Sequence, residues 1–287
     1  MNTFETEVKE GKRFEFGKNW QSFLTTLTDE RISIAVSSIK TMLGIDSLSG
    51  KTVLDIGCGS GLFSLAARKL GARVHSFDYD PSSVACTQEL RKRYFPNDSG
   101  WIVEQGSVLD ENFIKALGSF DIVYSWGVLH HTGNMWSALE NAALRVGENG
   151  TLFIAIYNDQ GWKSRMWKKV KKTYCSGQLG KILMSCIFIP YFFSLALLSS
   201  ILKKQNMFSG YKKNRGMSIT HDWHDWLGGL PFEVASVDKI FNFFQKRGFT
   251  LSKIINTPGL GNNQFVFLKG SGNCETASGD TTIGGSL

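Results

Sequence analysis

The sequence predicts an α/β protein: a doubly wound, mostly parallel sheet with a helical cover ahead of it and a helical insertion late in the chain. Three observations carry this. Residues 51–70 read as a buried strand, a glycine-rich turn and a helix. Apolar, β-branched runs then alternate with helix-period segments as far as residue 158. The alternation is interrupted between Asp159 and Glu233 and then resumes. A chain of 287 residues, 42% hydrophobic and 20% charged, is long enough to bury one substantial core and to carry one appended subdomain.

Residues 1–50 hold Phe14, Phe16, Trp20, Phe23 and Leu24, then an apolar-periodic stretch from Arg31 to Leu43. That pattern predicts helices packed as a cover across the mouth of a ligand site. The core, 51–158, opens on Lys51–Ile56, which is β-branched and apolar. Gly57, Gly59 and Gly61 supply a tight turn without side chains in the way, and Leu62–Leu70 has helical period. A second strand, Arg73–Phe77, ends in Asp78. A fourth, Phe120–Ser125, runs into Val128-Leu129-His130-His131, followed by a helix over Asn134–Val146 and a fifth strand over Gly150–Asn158. Beyond the insertion, 159–234, residues 235–269 complete the sheet with a helix near Ser236–Arg247 and strands near Phe249–Ile254 and Gln264–Leu268. The rest, 270–287, is Gly, Ser, Thr and Asn with little apolar content and is expected to be a disordered tail.

The turn itself, Asp55-Ile56-Gly57-Cys58-Gly59-Ser60-Gly61, departs from the G-x-G-x-x-G of dinucleotide sites. Its acid would repel a pyrophosphate and suits a cationic, amino-acid-bearing ligand. Val53 to Gly61, Asp78, Gly106 to Asp110, and Phe120 to Ser125 with Val128 to His131, taken in that order, resemble the successive motifs of class I S-adenosylmethionine-dependent methyltransferases. The resemblance covers roughly residues 50 to 158. It implies a Rossmann-like, seven-stranded, mostly parallel sheet and S-adenosyl-L-methionine as cofactor, with S-adenosyl-L-homocysteine as product. It places Gly57, Gly59 and Gly61 against the methionine part, Asp55 near its ammonium, and Asp78 on the ribose hydroxyls. Ser107 stands beside the adenine where many members carry Asp, and a serine can still hydrogen-bond the adenine amine. Cys58, Tyr79, Val108 and Ser125 complete the implied cofactor set.

Methyl transfer from a sulfonium needs alignment, exclusion of water and, for a hydroxyl nucleophile, a base. His130 and His131 follow the fourth strand at the edge where open α/β sheets bind ligands, and His131 is the first candidate base. A packing or helix-capping role is the alternative for each. His221, Asp222, His224 and Asp225 form a second cluster, read as catalytic or substrate-binding groups, as a structural clamp with Trp223 and Trp226, or, least favoured, as ligands to a divalent metal. In the first reading His221 and Asp222 are catalytic and His224 binds substrate. Tyr157 and Asn158 close the fifth strand and face the same cleft, and Trp20 joins them as a substrate contact from the cover. Tyr157 to Trp162, Trp223 to Pro231 and Phe14 to Trp20 are similar to a bacterial group of small-molecule methyltransferases, loosely similar to quinone-pathway O-methyltransferases. The expected function is methyl transfer to a hydroxyl, with an amine second, of a small or glycan-like molecule. A catalytically inactive cofactor-binding scaffold and a membrane-associated lipid methyltransferase are the alternatives.

The insertion is the least determined part. Ile182 to Leu202 is long and apolar enough to cross a bilayer and is flanked by Lys181 and Lys203-Lys204. A crossing would separate the last strands from the sheet, so the open alternatives are a buried lid, a homodimer contact, and an interfacial segment touching a membrane. Lys168, Lys169, Lys171 and Lys172 read as a solvated helix face opposite Trp162, Met166 and Val170. The net charge of +7 alone does not make a nucleic-acid site, and no RNA-binding module is recognisable, so no nucleic-acid partner is expected. Five scattered cysteines without a C-x-x-C pair argue against a disulfide framework and a zinc site. With no export signal visible at Met1 to Glu5, the expected setting is cytoplasmic, with peripheral contact at the inner membrane as the variant.

Overall fold

The computed structural model describes residues 3–203, 223 and 226–270. Its strands are β1 (Thr52–Ile56), β2 (Arg73–Asp78), β3 (Trp101–Gln105), β4 (Phe120–Trp126), β5 (Val146–Tyr157), β6 (Phe249–Ile255) and β7 (Asn262–Lys269). They form one sheet in the order β3-β2-β1-β4-β5-β7-β6, parallel except for β7, which runs antiparallel to both neighbours. The seven-stranded Rossmann-like architecture expected from the sequence is the one observed. The order reverses direction between β1 and β4, and at that switch point the carboxyl ends of the strands leave a crevice.

Each side of the sheet is covered by helices because β1 alternates between two apolar environments. Val53 packs with α3 (Asp29–Leu43), α4 (Leu62–Lys69) and α5 (Pro81–Tyr94). Leu54 and Ile56 pack on the other face with α6 (Glu111–Ala116), α7 (Met135–Leu144) and α10 (Val237–Gln245). Local signals set the helix ends. Thr28 caps α3 by accepting from the Arg31 amide, and Gly44 ends it in the left-handed region. Asp80 accepts from Ser82 N–H ahead of Pro81, which opens α5.

Two boundaries differ from expectation. The helix expected to reach Val146 ends at Leu144, and the fifth strand starts at Val146 instead of Gly150, because Val146 already pairs with Phe120 across an irregular register. Ahead of the sheet lie α1 (Thr3–Lys9) and α2 (Gly17–Thr25). Between β5 and α10 the chain forms α8 (Trp162–Cys175) and α9 (Gln178–Lys203). Lys181 sits over the Tyr174 ring, and Phe188 and Phe192 meet Trp167, so the two helices run antiparallel.

The insertion corrects three expectations. α9 is not buried: none of its apolar stretch is enclosed. The face that α8 buries is Ser164, Trp167, Lys171 and Tyr174, while Trp162 and Met166 are exposed. Lys171, expected on the solvated face, is fully buried. The segment from residue 271 onward and the cluster His221, Asp222, His224 and Asp225 lie outside the described residues.

Candidate active site

The glycine turn is fixed by its backbone. Gly57 and Cys58 N–H both donate to the Phe77 carbonyl, at 2.8 and 3.1 Å, which locks the turn to the end of β2. Gly57 has φ 77°, and a Cβ there would lie 2.3 Å from a Val128 methyl, so no side chain fits. Gly59, φ 53°, lies under the Trp20 indole, with the ring nitrogen 3.1 Å from where a Cβ would be. Cys58 contributes only backbone: its thiol is buried, accepts from Thr87 Oγ1 and is pushed up by burial.

Two carboxyl groups flank this turn. Asp78 accepts from Gly59 N–H and Asp80 N–H, each at 2.9 Å. Burial, reinforced by the charge of Asp80, raises it to about 6, against the pull of those amides. A carboxylate has about four acceptor positions, so two remain for a ligand's hydroxyls. Asp55 accepts from Ser64 Oγ, which is linked to Ser76 Oγ at 2.7 Å, and lies in a small crevice with Ile39, Leu43, Phe63 and Tyr124. Burial, with Asp78 nearby, lifts Asp55 to about 7. Among the described residues no lysine or arginine pairs with either acid. A cradle that excludes side chains, beside two acids short of positive charge, fits a ligand that brings a cation and hydroxyl donors.

The other implied cofactor residues divide. Tyr79 lies beside the turn and is held by Phe4, edge-on at 5.5 Å, and by the Arg13 guanidinium 4.8 Å from its ring centre. Ser107 Oγ accepts from Leu109 N–H, and buried Val108 accepts from Asn141 through its carbonyl, so this loop is pre-formed. Ser125 is corrected: it is fully buried and its hydroxyl donates to the Ile56 carbonyl at 2.9 Å, tying β4 to β1.

The cover is tethered to the same edge. Gly17 N–H, at the start of α2, donates to Asp80 Oδ2 at 2.7 Å. Arg13 donates to the carbonyls of His131 and Thr132 at 3.0 and 3.4 Å. Phe14 N–H donates to the Leu230 carbonyl, and the Phe14 ring lies where a Cβ on Gly228 would be.

Beneath this clasp the two imidazoles lie in an aromatic chamber. His130 is fully buried, its ring 4.1 Å from that of Tyr157, and its Nδ1 accepts the Tyr157 N–H at 3.4 Å. That bond places the proton on Nε2, which has no partner among the described residues. His131 Nδ1 meets the Pro231 carbonyl at 2.5 Å and must be the protonated nitrogen, which leaves Nε2 as an acceptor. Burial, together with the cations of Lys171 and Arg13, depresses His131 to about 3 in spite of the Pro231 carbonyl. Burial also pushes His130 well below the ordinary imidazole value, with His131 and Lys171 adding to the effect. Phe16, 5.1 Å from His131, and Tyr157, Trp226 and Phe232 complete the walls. Lys171 reaches in from α8, donates to the Trp226 carbonyl and lies over the Trp226 and Phe232 rings at 4.6 and 4.9 Å.

His130, His131 and Tyr157 are therefore brought together as expected, and Trp20 sits at the glycine turn. Asn158 is spent elsewhere: its side chain donates to the Gly259 carbonyl and its amide to Gly261. Arg13 and Lys171 are the residues that sequence reasoning missed. The one signal for Lys171 was its place three residues before Tyr174 and four after Trp167, on an aromatic stripe.

A profile of the methyltransferase domain family matches residues 29–251. A ubiquinone biosynthesis O-methyltransferase of Methylobacterium sp. (strain 4-46) is 31% identical over 116 residues, which is 40% of this chain and 45% of that protein. The chain thus spans less than half the length of this curated relative. Among solved structures, the magnesium protoporphyrin IX methyltransferase of Synechocystis PCC 6803 with bound SAH is similar at TM-score 0.50 and 15% identity, over 84% of each chain. PKMT2 of Rickettsia typhi, in complex with AdoHcy, reaches TM-score 0.53 at 15% identity, over 77% of this chain and 50% of that one. What these two share with the chain is the fold.

Proposed function

The chain belongs to the methyltransferase domain family, and we propose that it is an S-adenosylmethionine-dependent methyltransferase that methylates a hydroxyl of a small, partly apolar molecule, with His131 as base. The observation that carries this reading is the bond from His131 Nδ1 to the Pro231 carbonyl, which leaves a neutral, oriented Nε2 lone pair in an aromatic chamber.

In this reading the turn from Gly57 to Gly61 and the carboxylate of Asp78 hold the cofactor, which supplies an electrophilic sulfonium methyl when bound. Asp55, held near neutrality by burial, ionises more readily when a cationic ligand arrives. Tyr157, Phe16 and Trp226 exclude water and hold the apolar part of the acceptor. His131 Nε2 would take the hydroxyl proton as the methyl carbon bonds to the acceptor oxygen and its bond to the cofactor sulfur breaks, the electron pair staying on sulfur. An imidazole of pKa about 3 is a weak base toward a resting alcohol. An oxygen gaining a third bond is a far stronger acid than the imidazolium, so the proton moves late, within the transition state. The aromatic walls, with the O-methyltransferase similarity beside them, support a hydroxyl on an apolar ring system over a glycan.

The test is transfer of a labelled methyl group from S-adenosylmethionine to a fractionated metabolite extract, with mass spectrometry of the product. An O-methylated product is expected. N-methylation would move the acceptor to an amine that needs no base, and cofactor binding without turnover on any fraction would leave a scaffold.

A further inference from the structure

α9 is the one helix among the described residues long and apolar enough to span a bilayer, and no part of its 23-residue apolar stretch is buried. Only a narrow stripe is used internally: Met184, Phe188, Ile189 and Phe192 pack toward Trp167. The neighbouring side, about a quarter-turn around the helix, presents Leu183, Ile187, Tyr191, Leu195 and Leu198 at helical spacing, each 47–53% exposed. Single exposed leucines are ordinary, but a continuous stripe of this length marks an interaction surface.

Charge identifies what covers it. Residues 160–221 carry twelve lysines and arginines and no Asp or Glu, while the rest of the chain carries twenty basic against twenty-five acidic residues. All of the net positive charge therefore belongs to the segment that contains the apolar helix. On α8, Lys163, Arg165, Lys168, Lys169 and Lys172 are exposed. Topology decides how α9 lies. β5 precedes the insertion and pairs with β7 after it, so both ends of the segment stay on one side of any membrane. The sequence that follows α9 as far as residue 221 carries Lys204, Lys212, Lys213 and Arg215 and no 18-residue apolar run, so it supplies no second span to bring the chain back. A two-fold contact with a second copy would set one basic segment against its twin. An anionic surface removes that repulsion.

We propose that the α8–α9 hairpin is a monotopic docking element: the outward face of α9 enters the acyl boundary of an anionic bilayer, and the surrounding lysines and arginines meet the headgroups. This surface is separate from the acceptor chamber and does not depend on the methyl acceptor named above. The hairpin's inner face reaches that chamber through Trp167 against Trp226 and Trp226 against Tyr157.

The test is flotation of the full chain with vesicles of phosphatidylcholine plus phosphatidylglycerol and, in parallel, of phosphatidylcholine alone. Binding is expected on the anionic vesicles and should weaken as salt rises. Partitioning should fall by at least about tenfold in Leu183→Asp/Ile187→Asp/Leu195→Asp and in Lys168→Glu/Lys169→Glu/Lys172→Glu. S-adenosylhomocysteine affinity, measured by calorimetry, should be unchanged in both variants, which shows that they are folded. Absence of flotation of the unmodified chain on either vesicle overturns the proposal. A dimer in sedimentation that the apolar variant dissociates, without vesicle binding, gives the surface to a second copy. Neither failure touches methyl transfer, which is measured without lipid.

Discussion

The glycine turn after β1 and the α8–α9 hairpin both follow strongly apolar sequence, yet they use it in opposite ways. β1 and β4 enclose Leu54, Ile56 and Val123 almost completely and leave backbone amides and two carboxyl groups at the rim. α9 commits one stripe to the chamber and leaves the rest outside. On the first side, shape comes from dihedral angles and main-chain bonds, which few side chains can change without steric conflict. On the second, shape comes from ring against ring, which repacks when residues change. A fold that must hold one cofactor and adapt to an acceptor has reason to separate the two kinds of construction.

The largest effect expected from breaking the backbone-built side is Gly59→Val. The residue has φ 53° and faces the Trp20 ring, so a branched side chain both strains the turn and fills the mouth. S-adenosylhomocysteine binding should vanish in calorimetry while far-UV circular dichroism is kept. Retained binding would show that the turn is more pliable than the comparison holds. On the packing-built side, His131→Ala should lower turnover by about 10²–10⁴ with cofactor affinity unchanged. Equal loss in binding and rate would instead make His131 a structural link through Pro231.

Asp78→Asn sharpens the comparison by charge. It should weaken S-adenosylhomocysteine by roughly 1.5–3 kcal/mol. In the parent chain the raised pKa of about 6 sets the part of the pH dependence that belongs to Asp78: that part is full above 6 and falls as pH drops through 6, because the protonated acid keeps one oxygen as a donor and accepts more weakly from a diol. The acid limb should disappear in the variant, and a limb that persists belongs to another group. His131 contributes none near neutrality, since its imidazole stays unprotonated down to about 3.

Asp55→Asn has the smallest expected effect. The folded-state pKa of about 7 lies above the ordinary 3.8, so the buried acid's contribution is fully present below 3.8 and is lost as pH rises through 7. The ligand-free parent should therefore be less stable at pH 8 than at pH 5, by on the order of 1–2 kcal/mol from this group. The asparagine variant should flatten that slope in urea titrations. An unchanged slope would place the proton elsewhere.

The cofactor side was legible because its signals are local. A strand, three glycines at fixed spacing, and an acid at the end of the next strand are read within thirty residues, and the structure puts them at one edge. His130 and His131 were legible as position and not as state: the Pro231 and Tyr157 bonds that fix their tautomers come from residues far along the chain. Ser125 was misread because a hydroxyl at a strand end looks the same in sequence whether it faces a ligand or the Ile56 carbonyl. Lys171 was misread because three neighbouring lysines suggested one solvated face, while the helix turned this one onto two aromatic rings contributed from beyond residue 225. Arg13 gave no periodic signal, since apart from its ion pair with Glu7 its partners are carbonyls in a loop more than a hundred residues away.

The pairing of β5 with β7, Thr151 to Leu268 through Tyr157 to Asn262, governs the order in which the protein can be made. Emerging from a ribosome, the five parallel strands can assemble first and leave β5 as a bare edge. The apolar length of α9 then appears well before the hairpin that covers that edge. Folding must bridge the whole insertion before the sheet closes, so this late, long-range contact should set the rate of reaching the native state. In that interval the nascent chain exposes both an open strand and an unshielded greasy helix. A chaperone or a nearby bilayer that held α9 during synthesis would protect the strand as well.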